Sequence, residues 1–96
     1  MVLEGNGEMN LAAELSDPVS KRKLEIHTSR PAIHVYTANH LDKVKAKRGA
    51  VYNKYSGISL EPQHYPDSVH NPQFPDTLLK PGEVFKAKNI YRFKNL

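Results

Sequence analysis

The stretch GISLEPQHYPDSVHNPQFP, residues 57 to 75, holds the side chains best suited to acid–base chemistry. Glu61 stands directly before Pro62, and His64 and His70 follow within the next nine residues. Proline disfavours helical backbone for the residue before it and has no N–H to donate, so Glu61 is predicted to lie extended where a strand ends, unless the strand is a sheet edge. A carboxylate on such a rigid support suits a general base. On spacing alone, a solvated edge charge is the commoner interpretation of such a glutamate.

The five histidines are the other candidates for chemistry. His34 and His40 lie on or beside a predicted strand, whereas His64 and His70 lie in a proline-rich stretch. Their spacings match no recognisable ligand motif, so we predict no metal site. Surface histidine is common, and a role for one of them as proton donor is the less favoured alternative.

Strands must position these side chains, because the dominant period of apolar residues along the chain is two. Alternating or extended patterns cover residues 11–15, 24–28, 33–37, 51–55, 57–61 and 85–93. Residues 24–28 and 33–37 are close enough in sequence to predict a hairpin. We therefore expect one domain, residues 1–96, with an all-β fold: a partial sandwich of antiparallel strands.

The structure of the connections between the strands can also be predicted from their residues. Residues 40–49 are rich in charge and are predicted to form an exposed loop. Residues 62–76 contain four prolines and are predicted to form a long, ordered but irregular loop. Lys80-Pro81-Gly82-Glu83 suits a type II turn, with glycine supplying the positive φ at its third position.

Composition narrows the class of protein. The 96 residues include 39% apolar and 25% charged side chains, which is globular rather than disordered composition. Cysteine is absent, no apolar run approaches the ~18 residues of a membrane span, and the first ten residues lack the regions of a signal peptide. These features predict a cytoplasmic location and no membrane contact.

The net charge of +4 raises the question of nucleic-acid binding. Basic clusters occur at residues 21–23 and 43–48, but aromatic residues are not interleaved with them as stacking platforms. No nucleic-acid partner is predicted. Alternate positions near the C-terminus are basic instead, as expected for the solvent-facing side of a sheet.

A set of ordered motifs resembles the C-terminal region of the aldose 1-epimerases, or galactose mutarotases. The motifs are SGISLEPQ (56–63), PDS (66–68), NPQFP (71–75), LKPGE (79–83) and YRF (91–93), preceded by SRPAIHVYTAN (29–39). The resemblance covers essentially the whole chain. It implies part of a large β-sandwich of the galactose mutarotase-like supersandwich type.

The resemblance also implies a function and a site. The family interconverts the α and β anomers of aldohexoses such as galactose and glucose, without a cofactor. A glutamate accepts the proton of the C1 hydroxyl while a histidine protonates the ring oxygen. The resemblance assigns the general base to Glu61 and sugar binding to His34 and Gln63. His34 departs from the pattern, because the family usually has glutamine there, and imidazole cannot present both hydrogen-bonding groups of an amide at the same positions.

The family's acid histidines and sugar-binding aspartate lie earlier in a much longer chain, so the resemblance places none of them here. We therefore expect the isolated chain to be weakly active or inactive, and leave open whether it is an enzyme by itself. The alternatives are a non-catalytic carbohydrate-binding or interaction module and a remnant of a longer gene. Uncovered sheet faces are further predicted to drive self-association or complementation by another fragment.

Overall fold

The computed structural model describes residues 1–3 and 7–96, so residues 4–6 of the predicted domain lie outside the described part. The described residues form seven strands, in chain order: β1 (Asn10–Asp17), β2 (Arg22–Thr28), β3 (Ala32–Tyr36), β4 (Val44–Lys45), β5 (Val51–Tyr52), β6 (Ser59–Gln63) and β7 (Asn89–Asn95). Two short 3-10 helices, Lys47–Gly49 and Ser68–His70, interrupt the connections. The all-β prediction is confirmed.

The strands form antiparallel sheets in two layers and one small ribbon. One sheet has the order β1-β2-β7, a second pairs β3 with β6, and β4 pairs with β5. Residues 1–3 lie along β3, where Val2 forms a bridge with Ala32. The arrangement is a partial sandwich, as predicted.

The predicted hairpin between residues 24–28 and 33–37 is wrong. Asp17 closes a different hairpin, β1–β2, because its carboxylate accepts hydrogen bonds from the backbone N–H groups of Val19 and Ser20 at 3.1 and 3.2 Å. After β2, the hydroxyl of Thr28 accepts a hydrogen bond from the N–H of Arg30 at 3.0 Å, and the chain passes from one sheet to the other. Turn chemistry thus decided the pairing, not proximity in sequence.

The buried core is small and lies between the two layers. Ile26 of β2 and Ile33 of β3 are fully buried and, together with Ala12, form its centre. Leu24 and Leu60 pack against this centre while remaining half-buried. The face of β3–β6 that carries Ile33 and Leu60 is therefore the inner face, and its other face points away from the core.

The turn before β7 forms as the sequence predicts. Gly82 has a φ of 87°, and the N–H of Glu83 donates to the carbonyl of Lys80 at 3.1 Å. A Cβ added at Gly82 would meet nothing within 4 Å, so backbone conformation alone requires glycine there.

Replacing Gly82 by alanine is expected to lower the free energy of unfolding by about 1 kcal/mol, because an L-residue is strained at this positive φ. Gly57→Ala is the matched control: Gly57 also has open space around its Cα but no left-handed φ. The control is expected to be neutral or stabilising by about 0.4–1 kcal/mol. Urea unfolding of the two variants measures the difference, and equal losses would contradict the assignment.

The outer face of the β1-β2-β7 sheet is organised around one carboxylate. Glu25 of β2 is only 6% exposed, and its Oε1 lies 2.7 Å from the Nζ of Lys94 and 3.5 Å from that of Lys23. Arg92 and His27 approach its other oxygen at 3.7 and 3.4 Å. Arg92 and Lys94 of β7, which alternation alone assigns to solvent, are thus also paired with Glu25. These ion pairs balance part of the positive charge of the chain.

Glu25 should make the stability of the sheet depend on pH. The pKa of Glu25 is lowered from 4.5 to about 2. The hydrogen bond from Lys94 is the largest cause, and the hydrogen bond with His27 and the charges of Lys94 and Lys23 act in the same direction. A lowered pKa in the folded state stabilises the fold above the unfolded pKa, and this contribution is lost as the pH falls. We expect the urea concentration at the unfolding midpoint to decrease as the pH is lowered from about 5 to about 2. In Glu25→Gln the midpoint is expected to be lower already at pH 7, and to decrease less over the same pH range. Parallel acid dependence in both proteins would contradict this role.

Candidate functional site

The pairing of β3 with β6 brings the three predicted site residues onto one face. His34 lies directly opposite Glu61, and Ala32 lies opposite Gln63. Side chains directly opposite each other have Cβ atoms about 4.5–5.5 Å apart, and residues two apart on a strand share a face. His34, Glu61 and Gln63 therefore form one polar patch on the face that points away from the core.

The position of Glu61 within its strand differs from the prediction. β6 does not end at Glu61 but continues through Pro62 to Gln63. Pro62 lies opposite Ile33 in the ladder, and within the described residues β6 pairs with β3 alone. The edge exception for proline thus applies, and Glu61 is held at the centre of a short strand.

The carboxylate of Glu61 is exposed and oriented by a neighbour. The hydroxyl of Ser59, two residues earlier on the same face, donates a hydrogen bond to its Oε1 at 2.7 Å. Among the described residues, three grooves are lined by Leu11 and Val35, by Tyr36 and Tyr52, and by Arg30 and Phe85, and Glu61 lines none of them. A general base needs a wall that excludes water, and these grooves do not give Glu61 one.

The next pair of residues on the same face as His34 and Glu61 borders a groove. Tyr36 and Ser59, which pair with each other next to His34 and Glu61, line it together with Leu41 and Tyr52. Its volume of about 420 Å³ falls within the range of small-molecule sites. No sequence pattern predicts this groove, although Tyr36 stands two residues after His34 and therefore on the same face of β3.

The loop that follows β6 is ordered, as its prolines predicted. Tyr65 and Phe74 meet edge to face with ring centroids 5.1 Å apart, and the N–H of Phe74 donates to the carbonyl of Asn71 at 2.9 Å. The side chains of Asp67 and His70 also contact each other. This loop forms a stiff border beyond the Gln63 end of the polar patch.

A second groove, of about 320 Å³, lies beyond the Gln63 end of β6 and is basic. Arg30, His64, Phe85 and Lys86 line it, and the Arg30 guanidinium carbon is 5.2 Å from the centroid of the Phe85 ring. Burial, reinforced by the charge of Arg30, lowers the pKa of His64. The lowered pKa favours the neutral imidazole, which is the poorer proton donor.

The other histidines are engaged elsewhere. The ring of His40 stacks on Tyr36 with centroids 6.3 Å apart, and His70 contacts Asp67. Across residues 1–3 and 7–96, no group of three or more potential ligands is arranged to hold a metal ion. The same residues contain no helix with the length and apolarity to cross a membrane.

Comparison with known proteins gives a consistent result. The family model described as aldose 1-epimerase matches residues 2–92. Over 92 residues, the chain is 44% identical to galactose mutarotase of Mus musculus and 42% identical to that of Homo sapiens, covering 95% of this chain and 27% of each relative. Aldose 1-epimerase of Escherichia coli (strain K12) is 30% identical over 94% of this chain and 26% of its own length. The chain thus spans about a quarter of these relatives.

Proposed function

The chain belongs to the aldose 1-epimerase family, and on this premise we propose that it contributes the general-base side of a site that interconverts the α and β anomers of an aldohexose. The observation that carries the proposal is the register of β3 and β6. It sets His34 opposite Glu61 and leaves Gln63 on the same face, so the three residues singled out by the family motifs are neighbours.

Each side chain has a distinct role in the proposed reaction. Glu61 accepts the proton of the C1 hydroxyl, and an acid from outside the polar patch protonates the ring oxygen as the C1–O bond breaks. The C1–C2 bond then rotates, and the reverse steps close the ring as the other anomer. His34 and Gln63 bind sugar hydroxyls and hold C1 near the carboxylate, while the groove of Tyr36 and Tyr52 offers an aromatic wall beside them.

The acid is the missing part of this mechanism. The lowered pKa of His64 disfavours that role. The family resemblance places the acid histidines in a region of the relatives that precedes the matched one. The open position of Glu61 also lacks the water-excluding wall that catalysis needs. We therefore propose that the 96 residues alone have little mutarotase activity, and that the site is completed by the remaining part of an aldose 1-epimerase sandwich.

A chimera tests the proposal. The segment of mouse galactose mutarotase that matches residues 2–92 is replaced by these residues, and the mutarotation of fresh α-D-galactose is followed by polarimetry. We expect a rate far above buffer for the chimera and a rate close to buffer for the 96-residue chain. A folded chimera without activity would overturn the catalytic proposal.

The exposure of Glu61 favours one second candidate, a carbohydrate-binding module without catalysis. In that case, amide and imidazole signals of the β3–β6 face shift in NMR spectra when galactose or glucose is added, while the chimera exchanges no anomers. The absence of cysteine fits a cytoplasmic location for either candidate. A fusion to a fluorescent protein, imaged in cells, tests the compartment.

A further inference from the structure

We propose that the groove beyond the Gln63 end of β6 binds a phosphate group, either as inorganic phosphate or as the phosphate of a small ester. This basic groove is defined by five residues: Ser29, Arg30, His64, Phe85 and Lys86. The proposal does not depend on Glu61 acting as a base, and its test measures the binding of an anion instead of the exchange of anomers.

The guanidinium group of Arg30 is the strongest reason for the proposal. Arg30 is half-buried, and its Nε atom is buried without a hydrogen-bond partner among the described residues. None of the ion pairs that these residues form includes Arg30. Because Nε is inaccessible, the donors left for a ligand are those on the two terminal nitrogens, which form a fork that matches the oxygens of an anion. An anion in the groove compensates this half-buried charge.

The charges of the basic groove favour a doubly charged anion. Arg30 and Lys86 each carry one positive charge, and the described residues that line the groove include neither aspartate nor glutamate. On the outer face of the β1-β2-β7 sheet, by contrast, the cations share Glu25. A phosphate monoester carries a charge of about −1.5 to −2 at pH 7 and therefore balances two cations, whereas a carboxylate balances only one.

Neutral donors from other parts of the chain complete the set. The hydroxyl of Ser29 accepts a hydrogen bond from the backbone N–H of Lys88 at 3.0 Å, which leaves its own proton for a ligand. The neutral imidazole of His64 can donate one further N–H. The donors thus come from three separate segments, at residues 29–30, 64 and 86. Donors that converge from several directions suit the tetrahedral oxygens of phosphate better than a planar carboxylate.

The walls of the basic groove hold these donors in place. The guanidinium carbon of Arg30 lies 5.2 Å from the centroid of the Phe85 ring, and the centroid of the His64 ring lies 6.4 Å from it. Pro31 and Pro75 add rigid apolar walls, beside which a charge is less screened than in open water. The volume of about 320 Å³ is at the lower end of the range for small-molecule sites, which fits inorganic phosphate or a small ester.

An NMR titration with inorganic phosphate at constant ionic strength tests the proposal. We expect saturable shifts of the backbone signals of residues 29–30, 64 and 85–86. Arg30→Gln is expected to weaken binding at least about tenfold, because hydrogen bonds to charged groups are the strong ones. Arg48→Gln is the matched control: it removes the same charge from an exposed position that does not line the groove, and is expected to change the affinity less than about twofold.

The imidazole of His64 supplies a second readout. Burial and the charge of Arg30 lower its pKa, and Arg30 and Phe85 are the groups that face it. A bound anion offsets the charge of Arg30 and favours the imidazolium form, so saturating phosphate is expected to raise the pKa of His64. The rise is expected to persist in Arg48→Gln and to disappear in Arg30→Gln. A purely structural role of Arg30 gives no such dependence on phosphate.

Parallel titrations identify the source of the phosphate group. Tighter binding of a hexose 6-phosphate than of inorganic phosphate identifies an ester as the ligand, and equal or weaker binding identifies the free anion. All titrations are repeated with the mouse chimera, in which the matched segment lies within a complete sandwich. Absence of saturable shifts, acetate binding as tightly as phosphate, or equal effects of Arg30→Gln and Arg48→Gln would each overturn the proposal. A chimera that binds phosphate but exchanges no anomers counts against the catalytic proposal alone.

Discussion

Replacing Glu61 by glutamine in the chimera is expected to lower the rate of mutarotation by about 10²–10⁴-fold, the usual contribution of a general base. Glutamine keeps the shape of the side chain and can still accept a hydrogen bond from Ser59, as the carboxylate does at 2.7 Å. It cannot take a proton from the C1 hydroxyl at neutral pH. The loss is therefore expected in kcat, with a much smaller change in KM.

Glu83→Gln is the matched control for this experiment. Glu83 is an exposed glutamate that occupies the fourth position of the turn at Gly82, so its replacement is expected to leave the rate unchanged. Polarimetry over a range of α-D-galactose concentrations separates kcat from KM. A loss below tenfold in Glu61→Gln, or similar losses in both variants, would exclude Glu61 as the base.

The placement of Glu61, Gln63 and His34 on strands could be predicted because it depends on local patterns, whereas their roles in the site stay a prediction from the family resemblance. Alternation placed Glu61 and Gln63 on one face of a strand, and the motif around His34 placed His34 on a different strand. The structure adds the register that sets His34 opposite Glu61. A register is set by which strands pair, and the sequence offered no turn that linked β3 to β6 directly.

The two errors have different origins. The hairpin predicted between β2 and β3 failed because hydrogen bonds of Asp17 close β1–β2 instead. The strand predicted to end at Glu61 continued because Pro62 lies in an edge strand, where its missing N–H is not required. The first outcome depends on local turn chemistry at residues 17–20, whereas the second depends on the pairing of β6 with β3, which is distant in sequence.

Sequence patterns could not predict the groove beside Tyr36 or the pairing of Lys94 with Glu25. Tyr52 and Tyr36 line one groove only because the β4–β5 ribbon folds next to the start of β6. Lys94 and Glu25 are 69 positions apart and meet because β7 adds to β2. Alternation indicated that Lys94 faces outward, but it carries no information about which acid shares that face.

The small core leads to the second large expected effect, which concerns stability. Ile26 is fully buried at the centre of the cluster that joins the two layers. Replacing a fully buried isoleucine by alanine lowers the free energy of unfolding by about 2–5 kcal/mol. Small domains have little more than about 5 kcal/mol in total, and this chain leaves much of its apolar surface uncovered. Ile26→Ala is therefore expected to be largely unfolded.

Circular dichroism and urea titration measure this effect, with Val19→Ala as the control. Val19 is 90% exposed in the β1–β2 turn, and its replacement is expected to change stability by less than about 0.5 kcal/mol. An Ile26→Ala chain that stays folded alone, with an unchanged urea midpoint, would show that the contacts between the two layers do not hold the fold together.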